Sequence, residues 1–305
     1  MPILQTENGH ISYTINNGNV YITDYSGKDL IVTIPKSIEN AKVTHIKKKA
    51  FLSSRFVKEI HLPDTIECIE DYAFARCRKL EKIYLPYVNM KLGQDIFIDC
   101  ERLDYIFDCR INENNSEDVA FLLAKTINGL DAFFLFDLNN AGSDEWLLHL
   151  DSTIDMRMRK DDMEDFSKMI LCGEEEVVCA SDGTIEDSNP DTYKSNSVKE
   201  KIRIAFMRLL HSYKLNEELR RALVDYLINH TKGAKTEETW AVLKNEHGDD
   251  QRYYELLISI DAINKANLQE ILLDMGNEHT EMKSFLIRYF EDIKDDDDMF
   301  SEFEL

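Results

Sequence analysis

The chain has 305 residues, of which 43% are hydrophobic and 31% are charged; this composition favours a folded protein and excludes a disordered one. The net charge of -22 is unevenly distributed. Residues 1–110 contain 15 basic and 15 acidic residues, whereas residues 111–305 contain 21 basic and 43 acidic residues. An acidic surface repels phosphate backbones and anionic lipids, so we expect no direct binding to nucleic acid or to membrane.

The segment from Met1 to Val20 is polar and has no apolar stretch beside basic residues. No window of the sequence approaches the roughly 18 apolar residues of a membrane-spanning helix. We therefore expect a cytoplasmic protein. The cysteines lack the paired spacing of a metal or redox site, which predicts free thiols in a reducing compartment. They are Cys68, Cys77, Cys100, Cys109, Cys172 and Cys179.

A repeat of 23 residues occupies the first third of the chain. The pairs Ala50-Phe51, Ala73-Phe74 and Ile96-Phe97 recur at this spacing. Three further columns recur in phase with them: Ile46, Ile69 and Leu92; Val57, Leu80 and Leu103; Ile60, Ile83 and Ile106. Such a period predicts a solenoid, in which each unit contributes a short strand and a turn and buries its apolar side only by stacking on its neighbours. We expect the phenylalanines to form one internal ladder.

The clearest copy of the repeat runs from Ile69 to Pro86 and reads IEDYAFARCRKLEKIYLP. It resembles the BspA-type leucine-rich repeat, whose pattern is roughly I-G-x-x-A-F-x-x-C-x-x-L-x-x-I-x-L-P. The resemblance covers about residues 10–110 and implies a short β-solenoid of three units, preceded by a leading segment from Tyr21 to Ile46. Glu70 and Lys47 stand where the pattern has glycine.

From Ser116 onwards the apolar residues follow helical spacing, beginning with a first helix at Val119, Leu122 and Leu123. Asp161 to Leu171 is predicted to be a second helix. The stretch from Gly173 to Thr192 is acidic and rich in Gly, Ser, Asn and Pro, which predicts a solvated loop.

The remaining chain predicts further helices. Asn216 is a suitable N-cap for a helix that carries Leu219, Leu223 and Leu227, and Gly233 and Gly248 stand at expected helix ends. The other predicted helices are Val198 to His211, Thr236 to Glu246, Asp249 to Ile260, Asn264 to Met275 and Thr280 to Ile293. Their pairing gives an approximate period of 30–35 residues, the size of a two-helix repeat.

The segment Leu268 to Tyr289 resembles a degenerate ankyrin unit, although the T-P-L-H signature is absent, and generic stacked helical hairpins remain the alternative. Bacterial proteins that combine such repeats with an acidic helical part form a loosely defined family. The predicted class is therefore α+β, with a short leucine-rich-repeat β-solenoid at 1–110 and an all-α helical-hairpin repeat domain at 111–293. A disordered acidic tail is expected at 294–305; its alternative is a docking motif at Met299 to Leu305.

The best candidate site follows from the alternation of side chains along a strand. If the isoleucines of each repeat strand face the core, their neighbours face the open side of the sheet. The expected outward residues are His61, Tyr84 and Phe107 in one column, beside Glu59, Lys82 and Tyr105 in a second. Exposed aromatic side chains in a row are typical of protein interfaces. The alternative is that the helical domain covers this face.

The sequence contains none of the common motifs for nucleotide binding, metal-dependent hydrolysis or nucleophilic catalysis. We therefore predict no catalytic, cofactor-binding or metal-binding residues. The predicted function is that of a non-enzymatic scaffold or adaptor that binds a protein partner through the repeat surface. The alternatives are an accessory subunit of an enzyme complex and an acidic decoy that mimics nucleic acid.

Overall fold

The computed structural model describes residues 1–86, 90–108, 116–162, 190–231 and 238–301. They form two compact units, Met1–Thr153 and Ile154–Leu305. The first unit is a β-solenoid with helices after it and the second is helical, so the predicted α+β class is confirmed. The first unit continues beyond the expected boundary at residue 110, because helix α1 (Ser116–Asn128) packs on the last strand of the solenoid.

The larger of the two sheets has seven strands. They are β1 (Ile3–Gln5), β2 (Gly9–Asn16), β3 (Asn19–Gly27), β5 (Ser37–Ile38), β6 (Ala41–Ile46), β8 (Cys68–Ile69) and β10 (Lys91–Leu92). The strands follow the order β1-β2-β3-β6-β8-β10, and β5 pairs with β6. The first three strands pair antiparallel, whereas β3, β6, β8 and β10 pair parallel and belong to successive turns of the solenoid.

The smaller sheet has four parallel strands in the order β11-β9-β7-β4. They are β4 (Ile31–Thr33), β7 (Glu59–His61), β9 (Lys82–Leu85) and β11 (Tyr105–Asp108). The expectation of only three units was wrong, because β4 supplies a fourth rung from the leading segment. Ile31 pairs with Glu59, 28 positions later, and this longer spacing concealed the first rung from a search at 23 residues.

The internal ladder of phenylalanines is confirmed and is one ring longer than expected. Phe51 and Phe74 have ring centroids 5.3 Å apart, and Phe74 and Phe97 have centroids 5.6 Å apart. Tyr25 stacks on Phe51 at 5.2 Å and begins the ladder. All four rings are buried. Because apolar area buried in this way stabilises a fold by about 25 cal/mol per Å², the ladder is a main source of stability for the first unit.

Small side chains that bond to the backbone form a column beside the ladder. The Cys77 thiol donates to the carbonyl oxygen of Phe51, and the Cys100 thiol donates to that of Phe74, both at 3.1 Å. Ser54 occupies the equivalent position one repeat earlier and donates to the Phe51 carbonyl oxygen at 2.8 Å. Both cysteines are free and buried, as the sequence predicts for this column.

Each turn of the solenoid contains two non-glycine residues in the left-handed region of backbone conformation. Lys49, Tyr72 and Asp95 have φ values of 63°, 56° and 50°, and the second set has φ values of 58° to 60°. The second set comprises Ser53, Arg76 and Asp99. A side chain in this region is unfavourable by roughly 1–2 kcal/mol, so the stacking of the repeats compensates for a strained turn in every unit.

Ion pairs connect each turn of the solenoid to the next at the same 23-residue spacing. They are Lys47–Glu70, Lys48–Asp71, Lys58–Glu81, Arg76–Asp99 and Arg78–Glu101. Glu70, which replaces the glycine of the repeat pattern, also accepts a hydrogen bond from the backbone N–H of Lys48 at 2.9 Å. Burial alone would raise the pKa of Glu70, but the bonds from Lys47 and Lys48 hold it below its usual value.

Three elements follow the solenoid, and the first unit ends within the last of them. Helix α1 buries Val119, Leu122 and Leu123, as the sequence predicts. A short 3-10 helix, Phe133–Leu135, and helix α2 (Asp144–Arg159) follow it and were not predicted. In α2, Trp146, Leu150 and Ile154 are buried at i, i+4 and i+8, which is helical spacing among many polar residues.

The second unit contains six further helices among the described residues. They are α3 (Pro190–Leu210), α4 (Glu217–Asn229), α5 (Glu238–His247), α6 (Gln251–Ser259), α7 (Leu268–Asp274) and α8 (Thr280–Ser301). Asn216 is the N-cap of α4, since its side chain accepts hydrogen bonds from the N–H groups of Glu218 and Leu219. Gly248 follows α5, and Gly276 follows α7 with a φ of 53°.

Some predictions about the second unit fall outside the described residues. These are the helix expected from Asp161 to Leu171 beyond residue 162, the acidic loop up to residue 189, and Gly233. In place of the tail expected from residue 294, helix α8 continues to Ser301, while residues 302–305 are not described. An existing helix adds residues at little free-energy cost, which explains a helical backbone in a run of aspartates.

Candidate interaction surface on the parallel sheet

Along each strand of the smaller sheet, successive side chains face alternately the core and the surface. Val32, Ile60, Ile83 and Ile106 face inward from the four strands and are at most 1% exposed. Their neighbours face outward and are exposed or half-buried, as the alternation predicts: Ile31, Thr33, Glu59, His61, Lys82, Tyr84, Tyr105 and Phe107. The outward positions form two columns because the strands pair parallel and without offset.

The first column is an aromatic strip, which we define as His61, Tyr84 and Phe107. The rings of His61 and Tyr84 are stacked with centroids 4.2 Å apart and planes inclined by 7°. The rings of Tyr84 and Phe107 are stacked at 4.7 Å and 12°. The structure therefore brings together the three residues that the sequence placed in one column, at the spacing of neighbouring strands.

The position of Tyr84 at the centre of the aromatic strip affects its pKa. Burial between the two neighbouring rings, followed by the nearby Glu59 carboxylate, raises the pKa of Tyr84 above its ordinary value. A tyrosine hydroxyl is protonated at neutral pH, so it can donate a hydrogen bond to a ligand. The rings present apolar faces with one polar group, a combination that is common at interfaces.

The second column consists of an acidic, a basic and an aromatic residue, Glu59, Lys82 and Tyr105. Glu59 contacts Nε2 of His61 through its carboxylate at 2.5 Å, so the two columns are joined at this rung. The Lys82 ammonium lies 5.5 Å from the centroid of the Tyr105 ring, within the range of a cation–π interaction. Tyr105 and Phe107 stack at 5.6 Å. All six predicted site residues thus form one continuous surface.

Helix α1 limits this surface at the last rung. Phe121 of α1 meets the Tyr105 ring edge-on at 5.5 Å, and Lys125 of α1 pairs with Asp104 at 2.7 Å. The Asn128 side chain donates to the carbonyl oxygens of Cys100 and Leu103, which caps the end of the solenoid. Helix α1 thus contacts Tyr105 at the last rung, and Tyr105, His61 and Tyr84 are all half-buried; the alternative that the helical domain covers the face stays a prediction.

A groove of about 450 Å³ lies at the carboxyl ends of these strands. Tyr84 and Phe107 of the aromatic strip form one side of it. The other lining residues are Leu62, Pro63, Leu85, Pro86, Lys36 and Asp64. Lys36 and Asp64 form an exposed ion pair at 2.6 Å. The groove can accept an apolar side chain beside a pair of opposite charges, which is a common arrangement in peptide-binding sites.

Three residues of this surface were not predicted from the sequence. Ile31 and Thr33 extend the two columns onto β4, and Lys36 reaches the groove from the same segment. The signal was present, because Val32-Thr33-Ile34-Pro35 has the form of the repeat's strand and its following proline. Their distance of 28 rather than 23 residues from the next copy placed them outside the period.

No group of three or more His, Cys, Asp or Glu side chains that could hold a metal ion occurs among the described residues. The described part of the chain also contains no helix that is long and apolar enough to cross a membrane.

Residues 14–126 match the family described as the BspA type leucine rich repeat region, in six copies. This part of the chain is therefore similar to BspA-type leucine-rich-repeat regions. The family match exceeds the three units expected from the sequence. It also includes the segment of β4 and part of α1, in agreement with the fourth rung and the capping helix.

Two solved structures are similar to the leucine-rich-repeat part. A leucine-rich-repeat protein from T. pallidum shares 28% identity over 32% of this chain and 46% of its own, with a TM-score of 0.31. One from Bacteroides ovatus shares 29% identity over 34% of this chain and 29% of its own, with a TM-score of 0.30. The chain thus spans less than half of either protein. No curated protein sequence matches significantly.

Proposed function

We propose that the protein is a non-enzymatic scaffold or adaptor whose leucine-rich-repeat sheet recognises a protein partner. The observation that carries this proposal is the stacked aromatic strip of His61, Tyr84 and Phe107, which is half-exposed and held by the register of three strands. Stacked rings are already ordered before binding, so little side-chain entropy is lost when a partner covers them. Aromatic residues of this kind dominate the energetics of many interfaces.

The groove beside the strip favours an extended segment of the partner. Such a segment would lie across the strand ends and insert an apolar side chain between Tyr84 and Pro86. The Tyr84 hydroxyl and the Lys36–Asp64 pair supply polar groups at opposite sides, which would fix the direction of the segment. We propose a cytoplasmic location for this interaction, on the composition of the sequence alone.

The second unit is proposed to be a stack of helical hairpins, either ankyrin-like or generic. Polar contacts recur there at a separation close to the expected period. Lys244 pairs with Asp274 at 3.1 Å and His279 with Asp249 at 2.8 Å, each across 30 residues. The Trp240 indole N–H also donates to Asp274 at 2.7 Å. These contacts connect α5 to α7, and the residues before α6 to those before α8, so each joins elements that are two helices apart. This spacing supports a two-helix repeat, whereas the choice of family stays a prediction.

The two alternatives have less support than the scaffold. A decoy that mimics nucleic acid needs a continuous carboxylate surface, which the solenoid does not offer because its acidic side chains pair with lysine and arginine, as in Lys58–Glu81 and Arg78–Glu101. The acidic excess that such a decoy would use lies after residue 110. For an accessory subunit of an enzyme complex, no described feature gives separate support.

A photocrosslinking experiment tests the recognition surface. p-Benzoylphenylalanine is placed at Tyr84 in the full chain, and at Phe56 as the matched control. Phe56 is 39% exposed and lies before β7, at the opposite end of the strands from the groove. We expect discrete crosslinked products from the Tyr84 site and none of the same products from the Phe56 site. Equal yields from both positions would contradict recognition through the strip.

A further inference from the structure

Two adjacent aromatic side chains after helix α1 project into solvent. Phe133 is 56% exposed and Phe134 is 75% exposed on the short 3-10 helix of the first unit. Phenylalanine is usually buried, because its exposure forfeits on the order of 2 kcal/mol of apolar transfer free energy. Two neighbouring exposed rings therefore call for a functional explanation more than a single exposed apolar residue would.

The turn that carries these rings is anchored, so their exposure does not come from a loose segment. Ala132 and Leu135, on either side of the phenylalanines, are at most 4% exposed. The Ala132 N–H donates to the carbonyl oxygen of Thr126 at 2.8 Å. The buried Trp146 indole N–H donates to the carbonyl oxygen of Leu135 at 2.8 Å and ties the turn to α2. The backbone that carries the two rings is thus held in place before any partner binds.

A shallow cleft of about 220 Å³ beside Phe134 is lined by both aromatic and acidic side chains. Its lining residues include the aromatic Phe134 and Trp146, the acidic Asp137 and Glu145, and His149. Asp137 is held in place, since it accepts hydrogen bonds from the Asn139 N–H and the Asn140 amide at 2.8 and 2.7 Å.

The charged side chains of the surrounding sequence, between Lys125 and Arg157, are all acidic. Residues 126–156 contain six aspartate or glutamate residues and no lysine or arginine. This distribution differs from that of the solenoid, where carboxylates alternate with basic residues. The local field therefore favours a cationic ligand and disfavours both anionic lipid and a second copy of the same acidic surface.

We propose that Phe133, Phe134, Asp137 and Glu145, together the acidic phenylalanine patch, bind an arginine-bearing apolar segment of a partner protein. Apolar side chains of the segment cover the two phenylalanine rings. A guanidinium group stacks on the Phe134 ring and bonds to the Glu145 or Asp137 carboxylate, a combination that suits its planar, weakly hydrated form. The patch shares no residue with the aromatic strip or its groove, so it adds a second recognition surface to the proposed scaffold.

Fluorescence anisotropy of a labelled synthetic helix of leucine and arginine, added to the full-length protein, tests this proposal. We expect saturable binding that weakens by about tenfold in Phe134→Ser and in Glu145→Gln, and that weakens as salt is added. Phe56→Ser is the matched control for loss of an exposed phenylalanine near lysines rather than carboxylates, and it should bind as wild type does. Tyr84→Ala should also bind unchanged, which separates this patch from the strip.

Several results would overturn the proposal. One is the absence of saturable binding by the arginine peptide, and another is equal binding by a peptide with glutamate at each arginine position. Unchanged affinity in Phe134→Ser would have the same meaning, since that residue is the centre of the patch. A wild-type dimer that dissociates in Phe134→Ser would assign the surface to a second copy. Binding to phosphatidylcholine vesicles that is lost in the same variant would assign it to a membrane.

Discussion

The imidazole ring of His61 lies face to face with the phenol ring of Tyr84, with centroids 4.2 Å apart and planes inclined by 7°. The two residues are 23 positions apart and pair directly between β7 and β9. Residues that are one repeat apart in the sequence therefore lie on neighbouring strands, and their rings stack. The same register orders the buried isoleucines on the opposite side of the sheet, so the surface and the core are specified together.

Truncation of a ladder ring should destabilise the first unit strongly. For Phe74→Ala we expect a loss of about 3–5 kcal/mol in the free energy of unfolding, because Phe74 is fully buried between Phe51 and Phe97. Denaturant unfolding followed by circular dichroism measures this loss. Phe56→Ala, at an exposed phenylalanine, should change stability by less than about 1 kcal/mol. A similarly small effect of Phe74→Ala would be inconsistent with a stacked core.

The left-handed turn residues predict that glycine is tolerated where a β-branched residue is not. Ser53 has a φ of 60° and is exposed. We expect Ser53→Gly to be neutral or to stabilise by up to about 1 kcal/mol, and Ser53→Val to destabilise by about 1–2 kcal/mol. Thermal melting of the two variants checks this order. The opposite order would show that the turn does not adopt this backbone conformation in solution.

Asp29 connects the amino-terminal strands to the first rung. Its buried carboxylate accepts hydrogen bonds from the Thr6 hydroxyl, the Asn8 N–H and the Tyr25 hydroxyl at 2.5, 2.7 and 2.9 Å. In asparagine an NH2 group replaces one carboxylate oxygen, so a hydrogen-bond donor would face at least one of these donors. We therefore expect Asp29→Asn to lower the unfolding free energy at neutral pH by about 1–3 kcal/mol.

The same residue predicts a pH dependence. Burial alone would raise the pKa of Asp29, but the three hydrogen bonds hold it below its usual value. A lowered folded-state pKa contributes stability above the unfolded pKa of about 3.9, and this contribution is lost as the pH falls through the folded value. The difference in unfolding free energy between wild type and Asp29→Asn should therefore shrink as the pH falls below the unfolded pKa of about 3.9. A difference that stays constant with pH would contradict a charged Asp29 in the folded protein.

Gly93 retains the glycine of the repeat pattern for a steric reason. A Cβ atom there would lie 2.3 Å from the backbone nitrogen of Asp71 and 2.5 Å from the carbonyl carbon of Glu70. We expect Gly93→Ala to destabilise by about 1–3 kcal/mol, because rigid backbone must shift. Gly129→Ala is the control, since its Cβ would meet Lys125 at 3.4 Å, an ordinary contact. Equal melting temperatures for the two variants would argue against this close approach.

The repeat and the site were predictable where a strict period carries the information. Phe51, Phe74 and the outward pair His61 and Tyr84 follow from spacing and strand alternation alone. The first rung was not predictable, because an insertion lengthens its spacing to Glu59. Helix α2 was also missed, since its buried residues alternate with charged ones and resemble a solvated segment.

The role of Glu70 also required coordinates. In the sequence it is only a residue that stands where the repeat pattern has glycine. The structure shows that it pairs with Lys47 and accepts from the Lys48 N–H on the adjacent turn. A partner 22 or 23 positions away cannot be identified from residue type alone when both positions are charged and many charges are available.

The affinity of the Tyr84→Ala variant for the partner tests the central claim most directly. Tyr84 is stacked between two rings and half-buried, so we expect its removal to lower the free energy of unfolding by about 1 kcal/mol and to leave the protein folded. The partner identified by photocrosslinking is then titrated, in its free form, into wild type, Tyr84→Ala and Phe56→Ala by isothermal titration calorimetry. We expect the Kd to rise about thirtyfold, equivalent to about 2 kcal/mol, in Tyr84→Ala alone. An unchanged Kd in the folded Tyr84→Ala variant would contradict recognition through the aromatic strip.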